Sequence, residues 1–296
     1  MSNVFAGRQK GLIYLTMTPG FIVFILFGVV PSVATLVISF TNYTSIPGVP
    51  VNFVGFANYV HLFVNNVQGL RNSLEETLVF AFGVTILQNL LGLWLANALT
   101  KKFPGVKLFR TLVFMPAVLG VTVIGLMWSL ILTPSGGPVA TILSLFGTSS
   151  AFFGSSTWAM PLVIFVQIWA NLGFTTVVYI AGINTVPSEL PEAAKIDGAS
   201  GWTTFWKVTF PMIAPSVTVN VILAAAGSLR TYDLIYVLTD GTNGTNTLGM
   251  YMFNTAFQGS GNLGLGAGIG VLQFLLTVVV VLVLQSYLRR REEAMS

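Results

Sequence analysis

Arg230 and Asp233 stand three positions apart inside an apolar stretch, where a charge costs about 2.5–3.5 kcal/mol on insertion scales. Residues at that spacing share a helix face, so the two can pair. Such a pair serves either a polar pathway or gate near the outer end of the stretch, or fixes one helix against its neighbour. Asn171 is equally isolated. Its amide needs a partner, which can be a polyhydroxyl solute. Glu189, Glu192, Lys195 and Asp197 form a charged island in an otherwise apolar chain. That island fits either a docking surface for an aqueous partner or an interfacial linker helix. Catalytic chemistry finds no constellation. Glu75 and Glu76 are adjacent, so on a helix their side chains diverge. The single histidine, His61, reads as a polar loop residue and excludes a two-histidine zinc helix. There is no cysteine, and no Gly-x-x-x-x-Gly-Lys-Ser/Thr loop for ATP. Powered transport would therefore draw on an ion gradient or a separate subunit.

The elements that must position these residues follow from composition. Of 296 residues, 54% are hydrophobic and 7% charged, against roughly a quarter charged in a soluble domain. An all-α integral membrane protein is expected. The N-terminal apolar run lacks a small-residue cleavage site, so it reads as a retained span rather than a signal peptide. Six apolar stretches reach the roughly 20 residues a helix needs to cross a bilayer. They run over about 12–40, 73–99, 108–132, 158–183, 213–238 and 265–288, in one permease domain covering 1–296. None alternates apolar and polar residues as a membrane strand would.

Charge placement orients the stretches. Arg8 and Lys10, then Lys101, Lys102, Lys107 and Arg110, then Lys195 and Lys207, then Arg289, Arg290 and Arg291 fall on one side if the spans alternate. The opposite loops hold only Arg71. The positive-inside rule puts that charged side, both termini and the Glu192 segment in the cytoplasm. The net charge of +4 therefore reflects topology and not nucleic-acid binding. Opposite loops at 46–50, 133–138 and 240–244 read as turns. Trp94, Trp128 and Trp158 fit interfacial anchors or helix packing. Pro116, Gly120, Gly125, Pro161, Gly173, Gly227 and Ser228 suit close helix approach or breaks beside cavities.

The cytoplasmic segment 187–211 predicts a short helix over Glu192–Ile196. Ser188 would cap it, the acids would sit at its positive end, and Gly198 would break it. An aromatic piece with Trp202, Phe205 and Trp206 follows, and Pro211 and Pro215 mark the next span.

Glu192-Ala193-Ala194, Asp197-Gly198-Ala199 and Phe210-Pro211 at this spacing resemble the EAA loop of binding-protein-dependent ABC importer permeases. Phe53-Val54-Gly55-Phe56-Ala57-Asn58-Tyr59, Tyr232–Thr239 and Ala256-Phe257 resemble the sugar branch, the maltose-permease F-type subunit in particular. The chain departs from it at Asp240-Gly241-Thr242, where that branch often has Gly-Gly-Pro, and lacks a large periplasmic insertion found in some maltose permeases. The resemblance implies a type I ABC importer permease fold in a prokaryotic cell membrane. It implies a second, G-type permease subunit, two ATPase subunits that bind ATP and Mg, an extracytoplasmic solute-binding protein and a sugar substrate. This chain itself would hold no cofactor or metal. Glu189, Glu192, Ala193, Ala194, Asp197 and Gly198 would couple to the ATPase. Asn171, Gly173, Phe174, Gly227, Ser228 and Tyr232 match the sugar-contacting stretches by position. A glycerol-phosphate or polyol permease, and a gradient-driven transporter, are the competing classes.

Overall fold

The computed structural model describes residues 16–101, 103–259 and 261–295. Arg8, Lys10, Lys102 and the first residues of the 12–40 stretch lie outside the described residues. Among those described the chain is helical, with no strand and a single antiparallel bridge between Thr41 and Phe53. Apolar residues on every side of the helices explain this: such helices are stable where lipid or other helices surround them.

Four helices are long and apolar enough to cross a membrane: α1 (Thr16–Ile38), α2 (Val67–Leu99), α6 (Ala159–Asn184) and α12 (Leu263–Met295). Two expected spans are not straight. The third is α3 (Val106–Phe114), a 3-10 turn at Met115–Val118, then α4 (Val121–Ile131), bent by 104°. Pro116 removes a donor in the turn, and Leu119 and Gly120 are extended. The fifth begins as α9 (Ala214–Ser228), which meets the preceding α8 (Gly201–Met212) at a bend of 74°. It is followed by a non-helical stretch and α10 (Asp233–Thr239). The expected 213–238 helix thus stops at Ser228. Outside the spans lie α5 (Pro138–Leu145) in the 133–157 loop, α7 (Glu189–Ile196) and α11 (Leu248–Phe257).

The residues form two compact units. The first takes the chain up to Asn66 together with Met252–Leu272. Within it, Asn58 Nδ2 donates to the carbonyls of Ser39 and Thr41, both at 2.8 Å, and Tyr59 OH lies 2.8 Å from Ser39 Oγ. Phe40 stacks among Phe53, Phe56 and Tyr59. In α1 a π turn at Ile25–Val29 precedes Pro31, whose missing N–H cannot continue the regular ladder.

The second unit, Val67–Tyr251 with Gln273 onward, is built on α2, α6 and α9. Its seam is polar and closed. Gln88 Nε2 donates to Thr175 Oγ1 at 2.7 Å, Tyr179 OH to Asn89 Oδ1 at 2.7 Å and Asn220 Nδ2 to the Thr175 carbonyl at 3.2 Å. In apolar surroundings each such bond spares an unpaired polar group.

Candidate translocation site and coupling segment

Two cavities open beside the broken helices. One, of about 210 Å³, lies between α2, α6 and α9 and is lined by Gln88, Gln167, Asn171, Phe174, Asn220 and Ser228 among others. The second, of about 260 Å³, lies at the break of the third span, against Pro116, Leu119, Thr231 and Asp233. Gln167, Asn171 and Gly227 line both. Irregular backbone at membrane depth is tolerated where it lines such a space. A Cβ built on Gly227 meets nothing within 4 Å, so the glycine faces open volume.

The structure thus brings Asn171, Phe174, Gly227 and Ser228 onto one cavity. Asn171 Nδ2 donates back to the Gln167 carbonyl at 3.0 Å, and Ser228 Oγ to that of Ala224 at 2.7 Å. Both polar side chains are held by their own helices.

Gly173 and Tyr232 line neither cavity. A Cβ on Gly173 would lie 2.7 Å from Phe114 Cα and from the Val113 carbonyl oxygen, so this glycine lets α3 pack on α6. Tyr232 precedes α10 and packs on Gly249. Gln88, Gln167, Thr175 and Asn220 take their place. Amides inside apolar runs were the available signal, since polar groups at that depth need a reason.

Arg230 and Asp233 do not pair. Ser228 ends α9 before Arg230, and Asp233 begins α10, so the rule for a continuous helix does not apply. Arg230 Nε donates to the Ala226 carbonyl at 3.0 Å, and Asp233 Oδ1 accepts from the Leu234 amide at 2.9 Å. Arg71–Glu75 is the one ion pair found among the described residues.

The 187–211 segment is a helix-turn-helix. α7 begins at Glu189, three residues before the expected Glu192. Ser188 makes no side-chain capping bond, because its own backbone is already helical (φ −61°, ψ −25°). Glu189 and Glu192 occupy the first turn and Lys195 the last, which suits the helix dipole. At the other end Gly198 has φ +83°. Its amide donates to the Lys195 carbonyl at 3.0 Å and that of Ala199 to the Ala194 carbonyl at 2.9 Å, a Schellman closure. Ser200 then caps α8 by accepting from the Thr203 amide at 3.2 Å. α7 buries no residue, and Ile196 is 86% exposed. By contrast Phe205 and Ile213 are buried with Leu93, Ala96 and Tyr179. An exposed helix therefore stands on an anchored root.

Residues 88–293 match the family described as binding-protein-dependent transport system inner membrane component. The chain belongs to that family. Among its relatives is the multiple sugar-binding transport system permease protein MsmF of Streptococcus mutans, 31% identical over 257 residues, 86% of this chain and 87% of that protein. The trehalose/maltose transport system permease protein MalF of Thermococcus litoralis is 31% identical over 273 residues, 92% and 91% of the two chains. A chain of a bacterial ABC transporter that imports the acidic polysaccharide alginate shares the fold, with a TM-score of 0.84 at 23% identity over 98% of this chain and 99% of that one. The expected membership of the ABC sugar-permease family is borne out.

Proposed function

We propose that the chain is the permease subunit of an ATP-driven sugar importer and forms half of its translocation path. Six spans cross a prokaryotic cell membrane with both termini in the cytoplasm, the third and fifth as broken helices. A binding protein delivers the sugar from outside, a second permease subunit completes the path, and two ATPase subunits hold ATP and Mg. The ATPases move α7, and with it α8 and α9. Glu192 and its neighbours dock on the ATPase while the Gly198 turn keeps α7 and α8 at a set angle.

The observation that carries this reading is the uncharged polar lining of the first cavity: Gln88, Gln167, Asn171 and Asn220 around Phe174. Amides offer both donors and acceptors to hydroxyls, and an aromatic ring covers the apolar face of a sugar. A phosphate ester would require a cation. Among the described residues neither cavity is lined by Lys or Arg, and the second carries Asp233.

The test is uptake by the complete complex in proteoliposomes with its binding protein. Labelled neutral disaccharides or short oligosaccharides should accumulate with ATP, independently of ionophores, and glycerol 3-phosphate should not. Ionophore-sensitive uptake without ATP would overturn the reading in favour of a gradient-driven transporter.

A further inference from the structure

The largest of the described cavities has no part in the path above. It is a groove of about 390 Å³ where the end of α2, α3 and α6 meet. Its walls are Leu99, Val113, Phe114, Val177 and Ile180. Two threonines also reach it, but Thr111 Oγ1 donates to the Lys107 carbonyl and Thr176 Oγ1 to that of Leu172. With both hydroxyls turned onto their own helices, the groove presents a surface of methyl groups and rings. Its shape comes from Gly173, where the close approach of α3 to α6 sets the floor.

A cation stands at the rim. Arg110 lines the groove, and its Nη2 donates to the Leu99 carbonyl at 2.6 Å, closing the last turn of α2. One such bond leaves further donors on a five-donor fork. Arg110 makes no ion pair among the described residues. The stretch 100–115 also carries Lys101, Lys102 and Lys107 and no acid. An apolar trough with Arg110, in no ion pair among the described residues, at its wall is complementary to a molecule with a chain and an anionic head. An apolar partner helix would fill the trough but leave Arg110 without counter-charge, which is costly at a buried boundary.

We propose that this groove holds one anionic phospholipid of the cytoplasmic leaflet, its acyl chain against Val177 and Phe114 and its phosphate at Arg110. Basic pockets between spanning helices on the cytoplasmic side favour such headgroups. The site rests on the spanning and orientation proposed above, but it is read by lipid retention and not by transport. Uptake can therefore fail while lipid binding stands, and the reverse.

The experiment uses the whole complex purified in mild detergent, stripped of lipid and offered phosphatidylglycerol or phosphatidylcholine, with bound lipid counted by mass spectrometry. Wild type should retain phosphatidylglycerol preferentially. Arg110→Gln should weaken that retention about fivefold, the worth of one cation at an anionic lipid surface, and Arg110→Lys should restore most of it. Val177→Trp, on an exposed helix position, should fill the groove and lose both lipids. It decides the matter if Arg110→Gln does not assemble. Equal retention of the two lipids, or unchanged retention in Val177→Trp, overturns the proposal. So does a photo-cross-link from position 177 to the partner permease.

Discussion

Gln273 Nε2 on α12 donates to the Leu229 carbonyl at 2.9 Å, at the point where α9 stops. Both residues are buried. A helix end leaves carbonyls without intrahelical partners, and this buried amide satisfies one of them. The break after α9, whose residues Thr231 and Asp233 line the second cavity, is thus held by a side chain 44 residues away.

Gln273→Met keeps the volume and removes the donor. The unsatisfied carbonyl should cost about 1–3 kcal/mol. Thermal unfolding of the purified complex should show a lowered midpoint; an unchanged one would mean the break is held by other contacts.

Gly227 and Gly173 separate path from packing. Gly227→Leu projects into open cavity, so sugar uptake should fall steeply while the unfolding midpoint stays near that of wild type. Gly173→Ala collides with α3 backbone and should lower the midpoint first. If the two variants behave alike, the cavity assignment is wrong.

Gly198→Ala puts a β-carbon on a left-handed residue, at a cost of about 1–2 kcal/mol, and reorients α7 against α8. Substrate-stimulated ATP hydrolysis by the assembled complex should drop, with the binding protein's affinity for sugar unchanged. Glu192→Ala should do the same without loss of folding. Full stimulation in both would remove α7 from the coupling route.

Tyr179→Phe leaves Asn89 Oδ1 without its 2.7 Å donor in the α2–α6 seam. About 1–3 kcal/mol of stability should be lost, and Asn89→Leu paired with Tyr179→Phe should recover part of it. A double variant no more stable than the single one would show that the bond is not the source.

The all-helical fold was legible because an apolar run of about 20 residues has little use except as a helix that crosses a bilayer. The breaks were only half legible: Pro116, Gly120, Gly227 and Ser228 suited a break, but the same residues suit close helix packing, and proline or glycine alone does not say which. Arg230 and Asp233 looked paired only on the assumption of an unbroken helix. Asn171 was visible as a polar residue in an apolar run, and Gln88, Gln167 and Asn220 carry the same signal. Gly173 misled because position along a span does not say which face it occupies. The Gly198 turn was readable, since a glycine after a short charged helix has a specific backbone use.

The amide lining of the first cavity has an electrical consequence. Its lining holds dipoles but no fixed charge, so it gives an inorganic ion no counter-ion while still exchanging hydrogen bonds with a hydrated neutral solute. If this cavity is the path proposed above, its selectivity against ions rests on the missing counter-charge and not on repulsion by a fixed like charge.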